Sequence, residues 1–156
     1  MPNPVAGSKR FHKLSNIGFT WLWKLMPAPT GIAVVTTRGR KSGKARTRAM
    51  RAVRDGQRVY AAAILGSRAD WLANLRADSR VALKLGTKTY RASGHELTEP
   101  TERQEARAVY VPIAGFYDYV DYLSFLWDPP SKSKLIHIHE QWFDRGAPVV
   151  FELTDP

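Results

Sequence analysis

The chain of 156 residues contains no cysteine. Disulfides, thiol catalysis and thiolate metal sites are therefore excluded. No apolar run reaches the roughly 18 residues of a membrane-spanning helix. The N-terminal segment lacks the continuous apolar stretch and small-residue cleavage site of a signal peptide, so the expected compartment is the cytoplasm. Acidic residues are scarce: 14 Asp and Glu stand against 24 Lys and Arg, and none precedes Asp55. The resulting net charge of +10 favours an anionic partner, whether nucleic acid, acidic lipid or an anionic small molecule. Internal repeats and low-complexity blocks are also missing. A hydrophobic content of 44% argues against disorder, and the length suits one domain with a real core.

What is present is a dense basic loop, Thr36-Thr-Arg-Gly-Arg-Lys-Ser-Gly-Lys-Ala-Arg-Thr-Arg48. Gly39 and Gly43 allow sharp turns and close approach of a ligand to the backbone. Arg38, Arg40, Lys41, Lys44, Arg46 and Arg48 could surround an anion, with hydroxyls from Thr36, Thr37, Ser42 and Thr47. Arginine forks suit phosphate or carboxylate. The loop also fits a plain solvated hairpin or a nucleic-acid contact, although few aromatics interleave with its arginines. It is not a Walker loop: the glycines are too close, and no Gly-Lys-Ser/Thr triplet opens a helix.

Before the loop, Phe11, Leu14, Ile17, Trp21, Leu22 and Leu25 recur at helical spacing, flanked by Lys9, Arg10, Lys13 and Lys24. Pro27 and Pro29 end this basic amphipathic helix. It reads either as a peripheral membrane contact through residues 9–25 or as a cap on the core or on a dimer partner. Residues 1–29 are thus a tail and helix, and residues 30–156 the main domain. Residues 1–8 read as frayed.

Strands are expected at Ile32–Thr37, Thr47–Arg54, Arg58–Ile64, Val81–Leu85, Thr87–Glu96 and Ala147–Leu153, with a further short one at Leu135-Ile136. Hairpin turns are expected at Arg54-Asp55-Gly56-Gln57 and Gly86-Thr87. Helices are expected at Asp70–Ala77, from about Thr101 (read as its N-terminal residue) to Tyr110, and after Gly115 until Asp128-Pro129-Pro130. The pattern predicts a mainly β, α+β chain: a small antiparallel barrel with peripheral helices. His137-Ile-His139 on a strand would place both imidazoles on one face, which can suit a metal. No third ligand follows by spacing, and no metal is expected.

Several segments together resemble the deazaflavin-dependent nitroreductase family, the split β-barrel, FMN-binding-like oxidoreductases of actinobacteria that use coenzyme F420. They are Thr37-Arg-Gly-Arg-Lys-Ser-Gly43 with Arg46, Arg54-Asp-Gly56, Trp71-Leu-Ala-Asn-Leu75 with Ala77-Asp78, Thr98-Glu-Pro-Thr-Glu-Arg103, and Tyr119-Val-Asp-Tyr122. The resemblance implies hydride transfer from reduced F420 to an electron-poor acceptor: a quinone, an activated alkene or a nitroaromatic. It implies that Arg40, Lys41, Ser42 and Arg46 hold the cofactor's phosphate and acidic tail. Arg48, Met50 and Arg51 would lie along the cofactor on the next strand, and Ala63 and Ile64 where the third strand ends. Trp71 and Asn74 would close over the cofactor. Tyr119 and Tyr122 would line the substrate side and supply a hydrogen bond or proton to the developing anion.

The chain departs from the family pattern in places. Leu65 stands at a family lysine position, Arg48-Ala-Met-Arg51 replaces Asn-Pro-Leu-Tyr, and Phe116 replaces the first of three spaced tyrosines. Residues 126–143 read as an insertion. The substrate pocket is therefore remodelled, and nitroimidazole reduction does not follow from the resemblance. An FMN enzyme of the same fold, or a cofactor-less lipid-binding member, are the alternatives. A helix meeting the inner face of the plasma membrane would suit a lipophilic acceptor such as menaquinone. Split barrels often pair, so a homodimer is also expected as an option.

Overall fold

The computed structural model describes the backbone of residues 9–126 and 128–155, with side chains from 17–123 and 128–154. Six strands form one closed antiparallel barrel in the order β1-β2-β3-β6-β5-β4. They are β1 (Ile32–Arg38), β2 (Ala45–Asp55), β3 (Arg58–Ala63), β4 (Arg80–Leu85), β5 (Lys88–Glu96) and β6 (Ala147–Asp155). Five helices surround it: α1 (Lys9–Leu25), α2 (Asp70–Ala77), α3 (Pro100–Tyr110), α4 (Phe116–Leu126) and α5 (Lys132–Arg145). The split-barrel expectation holds, and both hairpins turn where Gly56 and Gly86 supply positive φ.

Strand alternation explains the layers. Ala33, Val35, Ala52, Val59, Leu83 and Phe151 point into the barrel, where Trp71, Leu72 and Leu75 of α2 plug it. Ile32, Val34 and Ala49 point outward beneath Phe19 and Trp23 of α1 and Tyr117 of α4. Along β2, even positions therefore face inward and odd positions outward. β2 pairs with β1 from Ala45 to Arg51 but with β3 only from Ala52 to Asp55. Where it leaves β3, its Ala49 N–H donates to the Thr20 hydroxyl on α1, 3.0 Å away. Lys84 on β4 fixes the other end of α1. Its ammonium donates to the carbonyls of Trp23, Lys24 and Met26 at 2.8–2.9 Å, a cation on the orphan acceptors of a helix C-terminus.

Two expectations are corrected, and one alternative is narrowed. The apolar stripe of α1, read either as a membrane contact or as a cap on the core or on a dimer partner, does not cap the core: Ile17, Trp21 and Leu25 are 49%, 59% and 74% exposed, while Phe19, Thr20 and Trp23 meet the barrel. Apolar residues occur nearly all round this helix, and a hydroxyl bond helps choose the face. Phe11, Leu14, Lys9, Arg10, Lys13 and residues 1–8 lie outside the described side chains. The strand expected at Leu135-Ile136 is helix α5. Ser131 caps it by accepting from the Lys134 N–H at 3.3 Å, and Leu135, His139 and Phe143 are buried at four-residue spacing. Helix α3 is capped not by Thr101 but by Glu99, whose carboxylate accepts from the Glu102 N–H at 2.8 Å, with Pro100 opening the helix.

Candidate functional site

The loop joining β1 to β2 is a tight hairpin. The Gly39 N–H donates to the Lys44 carbonyl at 2.8 Å and the Gly43 N–H to the Gly39 carbonyl at 2.7 Å. A Cβ on Gly39 would meet the Ser42 hydroxyl at 2.9 Å and the Lys44 carbonyl at 3.1 Å, so a larger residue there would force the hairpin to shift. Arg46 passes over Gly39 in the same frame.

Helix α2 locks this loop to the barrel end. The Asn74 side-chain oxygen accepts from the Arg40 backbone N–H and from Arg40 Nη1, both at 3.1 Å. Arg40 Nη1 also donates to the Asp70 carbonyl at 3.3 Å, and its Nη2 lies 3.6 Å from the Asp70 carboxylate. Asn74 Nδ2 donates to the Thr37 hydroxyl at 3.3 Å, and Thr37 donates in turn to the Arg46 carbonyl at 3.4 Å. Thr37 and Asn74 are both buried, so this small polar network holds the arginine loop in shape.

Arg48 and Met50 lie on the inward row of β2 with Arg46. Burial lowers the affinity of the Arg48 guanidinium for its proton, partly offset by the Asp70 charge. Among the described residues Arg48 makes no side-chain hydrogen bond. A desolvated guanidinium without an acceptor is costly, and it marks a place where an anionic group would be stabilised. The structure thus joins Arg40, Asn74, Thr37 and Arg46 through one hydrogen-bonded network at the hairpin, while Arg48 and Met50 continue along the inward row of β2 away from it. Lys41 and Ser42 stand exposed on the loop above.

Other expected residues are placed differently. Trp71 is in the core, its ring 6.4 Å from Phe151, and Ala63 is buried. Ile64 is 38% exposed beside it. Arg51, on the outward row, is committed elsewhere. Its Nε donates to Asp118 at 3.1 Å and its Nη2 to the carbonyls of Tyr110 at 3.1 Å and Ile113 at 2.6 Å. Its guanidinium also stacks 4.2 Å from the Tyr110 ring centroid. Arg51 is thus a buried strut between β2, α3 and α4. Tyr119 and Tyr122 sit on α4, and among the described residues no hydrogen bond, ion pair or ring contact joins them to the arginine loop. The Tyr122 phenol donates to Asp128 at 3.0 Å, and burial and that carboxylate raise its pKa.

Sequence reasoning gave no role to two acidic groups and misread one histidine. Asp70 sets the charge beside Arg40 and Arg48; its position one before Trp71 was the available signal. Asp121, between the two tyrosines, is pushed up to about 6 by burial and then by Asp118. His139 is buried, contacts the Val111 carbonyl through Nδ1 at 3.3 Å and is pushed down to about 4 by burial and by Arg51. His137, two residues earlier, is exposed on another side of α5, so the two imidazoles do not converge. No metal-competent group of three His, Asp or Glu occurs among the described residues.

Residues 15–124 match the model of a family described as F420H(2)-dependent quinone reductase. The chain belongs to this family. Three solved structures support the fold at low identity. An F420-H2 dependent reductase, FDR-A, aligns with a TM-score of 0.52 at 24% identity, covering 78% of this chain and 93% of its own. A protein described as a domain-swapped dimer aligns with a TM-score of 0.53 at 22% identity, covering 92% and 94%. A conserved hypothetical protein from Mycobacterium tuberculosis shares the fold at 14% identity, with a TM-score of 0.51 over 80% of this chain and 74% of that one. The matched range spans the basic loop, the tryptophan helix and the tyrosine pair. No helix among the described residues is long and apolar enough to cross a membrane.

Proposed function

We propose that this protein binds coenzyme F420 at the barrel end between the arginine loop and α2, and reduces a quinone-like acceptor. The observation that carries the reading is Arg48: a desolvated cation without an acceptor, beside Arg40 and Arg46, in a family defined by an anionic cofactor. The donor set fits that cofactor. Arg40, Lys41, Ser42 and Arg46 would take its phosphodiester and carboxylates through charge-assisted bonds. Met50 and Ile64 would supply apolar wall to a flat ring.

When bound in its reduced form, the deazaflavin supplies a hydride, two electrons with one proton, and the acceptor takes one further proton. The chain's own contribution is placement and electrostatics. Asn74 fixes Arg40, and Thr37 fixes Asn74, so the cations are oriented before the ligand arrives. Tyr119 is the proposed hydrogen-bond donor to the acceptor, because the Tyr122 phenol already serves Asp128.

A lipophilic acceptor also fits the exposed surface. Trp21, Leu22 and Leu25 of α1 and Phe116 and Leu123 of α4 stand exposed, and Lys24 lies 5.6 Å over the Trp21 ring. An aromatic and lysine face of this kind suits a peripheral contact with anionic lipid. The decisive assay is anaerobic mixing of the protein with reduced F420 and a short-chain menaquinone. The expected result is stoichiometric reoxidation of the deazaflavin that requires the protein. Absence of reoxidation with quinones, enones and nitroaromatics alike would overturn the reading.

A further inference from the structure

Helix α4 carries Tyr119, the proposed donor to the acceptor, yet one side of this helix is bare. Phe116 and Leu123 stand exposed, three and four residues from Tyr119 and so on its side of the helix. Tyr119 makes no side-chain hydrogen bond among the described residues. Its position therefore depends on what holds the helix before and after it. Before it, Asp118 accepts from the Gly115 N–H at 2.8 Å and from Arg51 Nε at 3.1 Å. After it, Asp128 Oδ2 accepts from the Tyr122 phenol at 3.0 Å and from Lys134 Nζ at 2.8 Å. One carboxylate oxygen thus joins α4 to α5.

Helix α5 is the fixed side of this joint. Leu135, His139 and Phe143 bury it. Arg107 of α3 donates to Asp144 at 3.0 Å and to Glu140 at 3.2 Å, and Arg103 donates to the Phe143 carbonyl at 3.1 Å. Lys134 is out of place for the helix itself. The first turn of α5 holds Lys132 and Lys134 and no acid, where the positive end of the helix dipole disfavours cations. A residue that breaks a local rule is expected to serve something beyond its own element. Here the ammonium reaches back to Asp128 and to the Pro129 carbonyl, 3.0 Å away. Lys134, and then Tyr122, hold the Asp128 carboxyl below the usual carboxylate range, so the pair is charged at neutral pH. The two side chains are 38% and 42% exposed, and an ion pair so exposed adds little to global stability.

We propose that Asp128 and Lys134 are positioning residues for the acceptor site: they fix the Tyr122 end of α4 to α5 and so set where the Tyr119 phenol meets the acceptor. Their effect on turnover rests on the function proposed above; their hold on α4 does not. A donor displaced by about 1 Å loses much of its effect on the transition state, so a pair that contributes little to folding can control the rate. Both residues lie beyond residues 15–124, the range that matches the family model, so the brace is built from a segment outside that match.

The test uses the full chain, saturating reduced F420 and a short-chain menaquinone without oxygen. Lys134→Met and Asp128→Ala are each expected to slow single-turnover reoxidation about tenfold, with the half-saturating acceptor concentration, F420 affinity and melting temperature close to wild type. Lys134→Arg restores the rate, because a guanidinium also pairs with the carboxylate. Lys134→Met added to Tyr122→Phe brings no further loss, because both cut the same joint. A second readout needs no turnover. In protein with isotope-labelled tyrosine rings, Lys134→Met shifts the Tyr119 and Tyr122 resonances and leaves those of Tyr60 and Tyr110 in place. An unchanged rate or an unmoved Tyr119 resonance overturns the proposal, and so does a slower rate matched by a fall in F420 affinity or melting temperature. A wild-type protein that reoxidises no F420 overturns the proposed function instead, and the Tyr119 resonance alone then decides the pair.

Discussion

Asn74 holds Arg40 twice through one oxygen, once at the backbone and once at the guanidinium, each at 3.1 Å. The bonds tie residues 34 positions apart and make helix α2 the template for the arginine loop. Asn74→Ala leaves the Arg40 N–H and the Thr37 hydroxyl without these partners. The expected outcome is a loss of about 1–2 kcal/mol of stability and a weakening of F420 binding on the order of tenfold, read by thermal unfolding and fluorescence titration. A variant with wild-type affinity would show that the loop needs no template.

Arg48 gives opposite signs for stability and binding. Arg48→Met removes a desolvated charge that has no hydrogen-bond acceptor while keeping an extended apolar side chain. Stability is expected to rise by about 1 kcal/mol, and affinity for F420 to fall roughly 10- to 100-fold, the range for a hydrogen bond to a charged group. Chemical denaturation and titration on the same preparation check both. A fall in both would mark Arg48 as a structural residue.

Arg51 carries the reverse expectation. Its removal leaves Asp118 buried, with His139 Nε2 3.8 Å away as its nearest basic group. Arg51→Ala is expected to cost about 3–5 kcal/mol and to lower the melting temperature by roughly 10 °C. Arg51→Lys would also destabilise, because an ammonium lacks the planar fork that reaches Asp118 and two carbonyls together. Protein that remains folded should bind cofactor with near-normal affinity.

His139 makes acid stability pH-dependent. Its pKa is about 4 in the folded protein against 6.5 for the free side chain. The unfolded chain therefore binds the proton first. The stabilising contribution is complete above about 6.5 and is lost as pH falls towards 4. His139→Gln keeps a donor for the Val111 carbonyl and removes the titration. Denaturant midpoints measured across pH 4–7 should fall more steeply for the wild type than for this variant. Parallel curves would refute the assignment.

The barrel was legible because its strands alternate and its hairpins carry glycine at Gly56 and Gly86. The loop was legible as a cation-rich hairpin, with six cations within eleven residues, but its ligand was not, because a solvated hairpin or a nucleic-acid contact fits the same residues. Helix α5 was not, because His137-Ile-His139 imitates alternation; the burial of Leu135, His139 and Phe143 at four-residue spacing decided otherwise. The docking face of α1 was hidden by apolar residues on every side and by a hydroxyl bond from Thr20 that no periodicity encodes. Arg48 and Arg51 read alike as basic residues on one strand. Their positions on opposite faces leave Arg48 facing inward, where the cofactor is proposed to bind, and make Arg51 a strut, and only the register of β2 against β1 separates them.

The most direct test of the central claim is titration of the full chain with oxidised F420, followed by fluorescence quenching, with FMN as control and Lys41→Ala/Arg46→Ala run in parallel. The account expects saturable binding of the deazaflavin at micromolar concentration, weaker binding of FMN, and a loss of at least tenfold in the double variant, the scale of two charge-assisted contacts. Binding that survives the double variant, or no binding of F420 at all, would contradict the placement of the cofactor on the arginine loop.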